Sequence, residues 1–287
     1  MRVFVTGATG YIGGAVARAI AGAGAEVLAL ARTPAAARVV RDAGYTPVAG
    51  DLQDLELLRR TARSVDAVIH AASSSDGDTA PVDAAATRAM VDALAGTSKT
   101  FVYTSGVWVL GETGPAAVGE DGVVRGAAPA ALIAWRAPLE QWLRDAVRRD
   151  VRTIVIRPGV VYGQGRGIPG MMARGELPVV GDGHQHWAVV HVDDLAALYL
   201  AALERAPAGA VLHGVGDEVT ARALGEALGA AFLPLEEATA KMGAFAEALA
   251  LDQRVSSERT RELVGWQPRA PRILDAPDVS AVASQPS

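Results

Sequence analysis

Two hydrophobic periods alternate along the first half of the chain. Short runs that are apolar at nearly every position give way to stretches whose apolar residues recur every three or four positions. The continuous runs are "RVFVTG" (2–7), "EVLALA" (26–31), "TPVAGD" (46–51), "DAVIHAA" (66–72), "TFVYTSG" (100–106) and "RTIVIRPG" (152–159). They predict strands buried on both faces. Helices are predicted over 11–24, from Thr33-Pro34 onward, over 53–63 and 80–95, and in a segment ending near 149. Thr33 has the hydroxyl an N-cap needs, and Pro34 suits the first helical position. Buried strands alternating with amphipathic helices imply an α/β fold, a doubly wound parallel sheet with helices on both faces.

The alternation fails between 107 and about 130, a stretch rich in Gly, Ala, Val and acids. A long insertion after a strand's carboxyl end is usually functional or mobile. Beyond 159, "VVYGQGRGIPG" (160–170) is glycine-rich, and "VDDLAALYLAALERA" (192–206) is an amphipathic helix with Asp193 as its expected cap. The domains expected are a dinucleotide-binding domain over 1–165, with strand and helix returns near 187–215, and a small mixed substrate lobe over 166–274. The tail 275–287 has no packing pattern and is expected to be disordered.

Composition narrows the function classes. The chain is half hydrophobic, carries a net charge of −5 and has no cysteine. The charge gives no footprint for nucleic acid or an acidic membrane. Thiolate catalysis, disulfides and Cys-held metals are excluded, and no metal site is expected. No apolar run approaches the roughly 18 residues a membrane helix needs, and "MRVFVTG" reads directly as a strand rather than a leader. A cytoplasmic protein acting on a small molecule is the expectation. Its basic residues are almost all arginine, the only lysines being Lys99 and Lys241.

"VFVTGATGYIGG" places Gly7, Gly10 and Gly13 between a strand and a helix, with Thr9, Tyr11 and Ile12 among them. Small residues at this spacing let a pyrophosphate approach the amides at the helix N-terminus. About 20 residues on, where an NAD site carries an acid for the ribose 2′-hydroxyl, the chain has Ala31 and Arg32. A guanidinium there favours a 2′-phosphate by roughly 1.5–3 kcal/mol. NADP is therefore the cofactor expected, with NAD the alternative. Asp51 and Leu52 follow the third strand, where an adenine edge can be read. Ala71, Ala72 and Ser73 follow the fourth, where backbone passes the cofactor.

"TGATGYIGG", "GDL" (50–52), "IHAA" (69–72), "YTSGVWVLG" (103–111), "RPGVVYG" (157–163), "HVDDLA" (191–196) and "LVGWQP" (263–268) occur in this order. Together they resemble the extended short-chain dehydrogenase/reductase superfamily, and within it the NAD-dependent epimerase/dehydratase branch. The resemblance implies a Rossmann domain, a small C-terminal substrate lobe and a bound nicotinamide dinucleotide. It extends the cofactor set to Thr104, Pro158, Gly159 and Val160, and it implies a homodimer through the helices near 80–95 and 131–149.

The superfamily's catalytic Tyr-x-x-x-Lys pair is missing, since none of the five tyrosines has a lysine four residues later. Alignment on Glu140 puts Leu132 at the tyrosine position and Arg136 at the lysine position. Alignment on "VWVLG" puts Gly106 at the serine position, with Ser105 one residue earlier. A guanidinium can hydrogen-bond ribose hydroxyls but cannot pass protons near neutral pH. Ser105, Arg136 and Tyr162 are the catalytic candidates, and Trp108, Trp135, His186 and Trp187 the substrate-contacting ones. Pro138 predicts a helix that either begins nearby or is kinked there. The reading that results is an NADP-preferring oxidoreductase that reduces a carbonyl, C=C or C=N bond of a small hydrophobic metabolite. The alternatives are a redox-neutral epimerase, dehydratase or cyclase that keeps its nicotinamide cofactor, and a non-catalytic NADP-sensing protein.

Overall fold

A computed structural model describes residues 1–73, 79–122 and 130–276. In chain order its first elements are β1 (Arg2–Thr6), α1 (Tyr11–Gly22), β2 (Glu26–Ala31), α2 (Pro34–Asp42), β3 (Thr46–Ala49) and α3 (Leu55–Arg63). Next come β4 (Ala67–His70), α4 (Thr79–Leu94), β5 (Thr100–Thr104), α5 (Arg136–Asp145), β6 (Arg152–Pro158) and β7 (Val160–Tyr162). The series continues through α6 (Gly167–Ala173), β8 (Val179–Val180), β9 (His186–His191), α7 (Val192–Arg205) and β10 (Ala210–Gly214). It ends with β11 (Asp217–Thr220), α8 (Ala221–Leu228), β12 (Phe232–Leu233), α9 (Leu235–Met242), α10 (Ala244–Leu249) and α11 (Glu258–Val264).

Seven strands form one sheet in the order β10-β6-β5-β4-β1-β2-β3. The pairs β1–β2, β1–β4, β2–β3, β4–β5 and β5–β6 are all parallel. The six apolar runs are thus strands of a Rossmann-type sheet. The order reverses between β1 and β4, and such a switch point opens a crevice beyond the carboxyl ends of the strands.

The chain forms two compact units. The first comprises Met1–Thr104, Pro138–Ile156 and Ala196–Val211. Phe4, Ile69, Phe101 and Ile154 on the continuously apolar strands, and Ile20, Leu58 and Met90 on the apolar faces of α1, α3 and α4, are sealed from solvent in it. Thr33 accepts the Ala36 amide at 3.1 Å and caps α2, with Pro34 at the first helical position.

The second unit comprises Ser105–Ala137, Arg157–Leu195 and the described part of Leu212–Ser287. Ser105–Ala137 groups with it although it precedes residue 165. A three-stranded sheet, β11-β9-β7, pairs β9 antiparallel to β11 and parallel to β7. β8 and β12 make a short parallel pair. Tyr162, Val179, Trp187, Val189, Leu224 and Leu249 belong to its core.

Three details differ from the sequence reading. "VVY" is the strand β7, hidden by the glycines around it. Gly159 leaves the space this strand needs, since a Cβ there would lie 2.4 Å from the Ala188 carbonyl oxygen. Asp193 lies inside the first turn of α7 rather than capping it. The His191 ring caps instead, its Nδ1 accepting the Asp193 amide at 3.2 Å. The stretch after 106 begins with a 3₁₀ turn, Val107–Leu110, and Val118 bridges to Val255. The tail from 277 onward lies outside the described residues. Among the described residues no helix is long and apolar enough to cross a membrane.

Candidate functional site

The glycine turn follows from sterics at two positions. Gly7 has φ +79°, and a Cβ on it would come 2.7 Å from the Ala71 carbonyl oxygen. A Cβ on Gly13 would come 2.2 Å from the Gly7 carbonyl oxygen, so α1 meets the loop backbone to backbone. The Gly10 amide closes the turn on the Gly7 carbonyl at 2.8 Å. Gly10 then serves as N-cap of α1 without any side-chain cap, and no acid occupies the first turn. The early amides and the positive end of the helix dipole are left for an anion. Tyr11 and Ile12 begin that turn, half-buried.

At the switch point lies a cleft of about 290 Å³ within the first unit. It brings together Gly7, Thr9, Arg32, Asp51, Leu52, Ala72 and Ser73, all candidates by sequence. Leu30, Thr33, Ala36, Gln53 and Val82 line it as well, and no motif marked them. Thr33 and Ala36 begin α2, which has no acid in its first turn. Asp51 Oδ1 accepts the Gln53 amide at 2.8 Å and shapes the turn that presents Leu52. At the end of β5, Thr104 shares a 2.6 Å hydrogen bond with the Tyr199 hydroxyl.

In the second unit Ser105 is buried, and its carbonyl accepts Nη1 of Arg136 at 3.1 Å. The guanidinium also lies over the Trp135 ring, 5.1 Å from its centroid. Arg136 is the first residue of α5 and Pro138 the third. Proline is tolerated there because a first-turn amide has no intrahelical acceptor. Leu132, at the position aligned with the tyrosine, falls in a 3₁₀ turn before the helix and is 42% exposed. It is therefore not on one helical face with Arg136.

The three candidate tryptophans do not share one environment. Trp187 is 3% exposed, packs in the core and donates Nε1–H to the Leu249 carbonyl at 3.0 Å. Strand alternation explains this, since neighbouring His186 takes the opposite face. Trp108 is half-buried, edge-on to Phe245 at 6.1 Å. Trp135 is half-buried beside Arg136. Tyr162 is also a core residue, with its hydroxyl donated to the Pro271 carbonyl at 2.7 Å. Pro158, Gly159 and Val160 are buried backbone-packing positions, with the Gly159 amide on the Gly214 carbonyl at 3.0 Å.

His186 is held on both ring nitrogens. Nδ1 is 2.8 Å from Asp252 Oδ1 and Nε2 is 2.7 Å from Nη2 of Arg254. Arginine only donates, so Nε2 accepts and Nδ1–H donates to the carboxylate. Burial pushes the Asp252 carboxyl up, but the amide and ring of His186, with Arg254, outweigh it and hold the group below the usual carboxylate range. Between the two, Gln253 is buried and donates to the carbonyls of Val107 (3.0 Å) and Gly111 (2.7 Å). Asp252, Gln253 and Arg254 thus pin the loop that carries Trp108. Sequence reasoning missed them because their partners lie up to 146 residues away with no local motif.

The strand order, the glycine turn and the cleft define a nucleotide-binding α/β protein of the Rossmann type. The model of the NAD dependent epimerase/dehydratase family matches residues 3–213, and the chain belongs to that family. It is an NAD(P)-dependent enzyme of the atypical short-chain dehydrogenase/reductase type. An uncharacterized protein of Saccharomyces cerevisiae is 34% identical, over 96% of this chain and 97% of its own. A 3-diazoavenalumate denitrifying reductase of a Streptomyces species is 29% identical over 96% and 98%. Among solved structures, a double mutant of the dTDP-glucose 4,6-dehydratase DesIV from Streptomyces venezuelae superposes with a TM-score of 0.79. It is 22% identical, with 99% of this chain and 96% of that one covered, and supports the fold alone.

Proposed function

We propose that the protein is an NADP-preferring reductase of a carbonyl, C=C or C=N bond in a small hydrophobic molecule. The observation that carries this reading is Arg32 lining the switch-point cleft beside the uncapped, acid-free start of α1. Gly7 and Thr9 line the cleft beside the start of α1, which has no side-chain cap and no acid and so suits the anionic centre of a dinucleotide. Gly7, Thr9 and the first amides of α1 would hold the pyrophosphate, Arg32 the 2′-phosphate, and Asp51 with Leu52 the adenine edge. The DesIV structure contains NAD. Here the guanidinium in place of an acid favours the phosphorylated cofactor.

The cofactor supplies a hydride when bound. A carbonyl that takes up this hydride needs one proton on oxygen to become an alcohol. Ser105, reprotonated from solvent, or a bound water supplies that proton. Arg136 binds ribose hydroxyls and stays charged throughout. Tyr162 is a core residue whose hydroxyl is donated to the Pro271 carbonyl, away from this role. Lack of a tuned acid costs roughly 10²–10⁴-fold in rate, which alignment of the reactants partly offsets. The half-buried indoles of Trp108 and Trp135 give apolar surface for the substrate. The likeness to a protein named as a reductase supports net reduction over a redox-neutral reaction.

The test is consumption of NADPH by the purified protein against a panel of ketones, enones and imines, followed by absorbance. Turnover with one equivalent of NADPH lost per product is expected. Product formed with no NADPH consumed would overturn the reductase reading in favour of an epimerase or dehydratase.

A further inference from the structure

Beneath the cleft runs a buried polar chain that the proposed reaction does not use. Asp83 on α4 and His70 at the end of β4 are each 1% exposed, and Thr6 at the end of β1 is fully buried. Polar groups this deep cost stability unless they answer one another. Tyr103 donates its hydroxyl to Asp83 Oδ1 at 3.0 Å, and Thr87 reaches the same oxygen at 3.5 Å. Nε2 of His70 faces Asp83 Oδ2 at 3.6 Å. On the other edge of the imidazole, Nδ1 lies 2.6 Å from Thr6 Oγ1, which accepts the Ala72 amide at 3.3 Å.

Proton counting sets the direction of this chain. A carboxylate beside Nε2 favours the tautomer with its proton there, which leaves Nδ1 as an acceptor. Thr6 then spends its single proton on Nδ1 and keeps a lone pair for the Ala72 amide. The donors run from the Ala72 amide through Thr6 to His70 Nδ1, and the last step, from Nε2 to Asp83 at 3.6 Å, is an electrostatic contact longer than a hydrogen bond. Tyr103 and Thr87 converge on the carboxylate from the other side. An acceptor-only group is required there, because an asparagine would turn an N–H pair toward one of the donors.

Both ends of the chain meet the cleft. Ala72 lines it directly, and so does Val82, the neighbour of Asp83. The Ala71 amide bonds the Thr6 carbonyl at 3.3 Å, and the Ala71 carbonyl is the group a Cβ on Gly7 would strike. We infer that Asp83 is a positioning residue for the cofactor cleft, acting through His70 and Thr6 to fix the Ala71–Ala72 wall. The inference rests on the dinucleotide reading of that cleft.

The test uses the full chain and its Thr6→Val, Thr6→Ser, Asp83→Asn and Tyr103→Phe variants, with the Thr6→Val/Tyr103→Phe double variant. NADPH affinity is read by fluorescence titration, and Ala72 amide exchange is read in protein without dinucleotide. Thr6→Val and Asp83→Asn are expected to raise the Kd about ten-fold. They should speed exchange at Ala72 while leaving the β2 amides unchanged. Thr6→Ser keeps the hydroxyl and should stay close to wild type. The double variant should fall short of the product of its single effects, as linked groups do.

Thr6→Val with a Kd within about two-fold of wild type and unaltered Ala72 exchange overturns the inference. Strict multiplicativity in the double variant, or Thr6→Ser as damaging as Thr6→Val, does the same. If Asp83→Asn does not fold, the Thr6 variants decide. Wild-type protein that binds neither NADPH nor NADH overturns the cofactor reading and this inference with it. Wild-type binding with unaffected variants overturns the inference alone.

Discussion

The glycine-turn cleft of the first unit and the Ser105–Arg136 region of the second are built in opposite ways. The cleft is made of residues close to strand ends, and five of the residues lining it, Gly7, Thr9, Asp51, Leu52 and Ala72, belong to short motifs. The other region depends on distant partners. Arg136 reaches back to Ser105, and the loop after Ser105 is pinned by Gln253. Backbone sterics fix the first region, so few residue types are allowed in it. Side-chain hydrogen bonds fix the second, and many residue combinations can supply those. The glycine turn is therefore present here, while no Tyr-x-x-x-Lys pair occurs.

That contrast predicts the most severe loss at the glycine turn. Gly13→Val, with its Cβ 2.2 Å from the Gly7 carbonyl oxygen in the present geometry, should abolish dinucleotide binding. Titration with NADPH and NADH checks it, with circular dichroism to show that the fold is retained. Measurable affinity would mean that the turn can shift, and the steric distinction between the two regions would fail.

Arg32→Ala comes next. Loss of one charge-assisted hydrogen bond set should cut NADPH affinity about ten- to a hundred-fold, with NADH affinity nearly unchanged. Paired titrations read the ratio directly, and an unaltered NADP-over-NAD preference would remove Arg32 from the site.

In the second unit the largest effect is expected on stability rather than affinity. Gln253→Leu strands two buried carbonyls, of Val107 and Gly111, at a cost of about 2 kcal/mol. The melting temperature should drop by about 5 °C, with NADPH affinity unaffected. A melt unchanged from wild type would show that the loop carrying Trp108 is held by other contacts.

The smallest effect concerns acid. Asp252 is held below its ordinary range, so the unfolded chain binds its proton first as pH falls. Its contribution to stability is present above the unfolded-state value, about 3.9, and is lost as pH drops through the lower folded-state value. Asp252→Asn should therefore melt lower than wild type near neutral pH. The two should converge on acidification below about pH 4. Parallel curves across that range would mean that His186 and Arg254 do not stabilise the carboxylate.

Much of the architecture was legible in the pattern of apolar residues. A strand buried on both faces has to be continuously apolar, and a glycine turn against backbone has to be glycine. The runs at 2–7, 26–31, 66–72 and 100–106 and the turn at Gly7–Gly13 carry those constraints in adjacent residues. Elsewhere the local signal misled. Tyr162 reads as a proton donor and Trp187 as an aromatic pocket wall, but both sit in the core with their polar tips on backbone carbonyls. Asp193 looks like a cap, yet the His191 ring takes that role.

Sequence alone determined the alternation of strands and helices, the anion-ready start of α1 and the absence of a Tyr-x-x-x-Lys pair, since each is a matter of residue type at short spacing. Tertiary structure decided which distant polar groups meet. Asp83 finds Tyr103 and His70, Gln253 finds the Val107 and Gly111 carbonyls, and Arg136 finds Ser105. A hydrogen bond between residues far apart in the chain imposes no period and no motif on either segment. Only the folded backbone, by removing water from both partners, makes each necessary to the other.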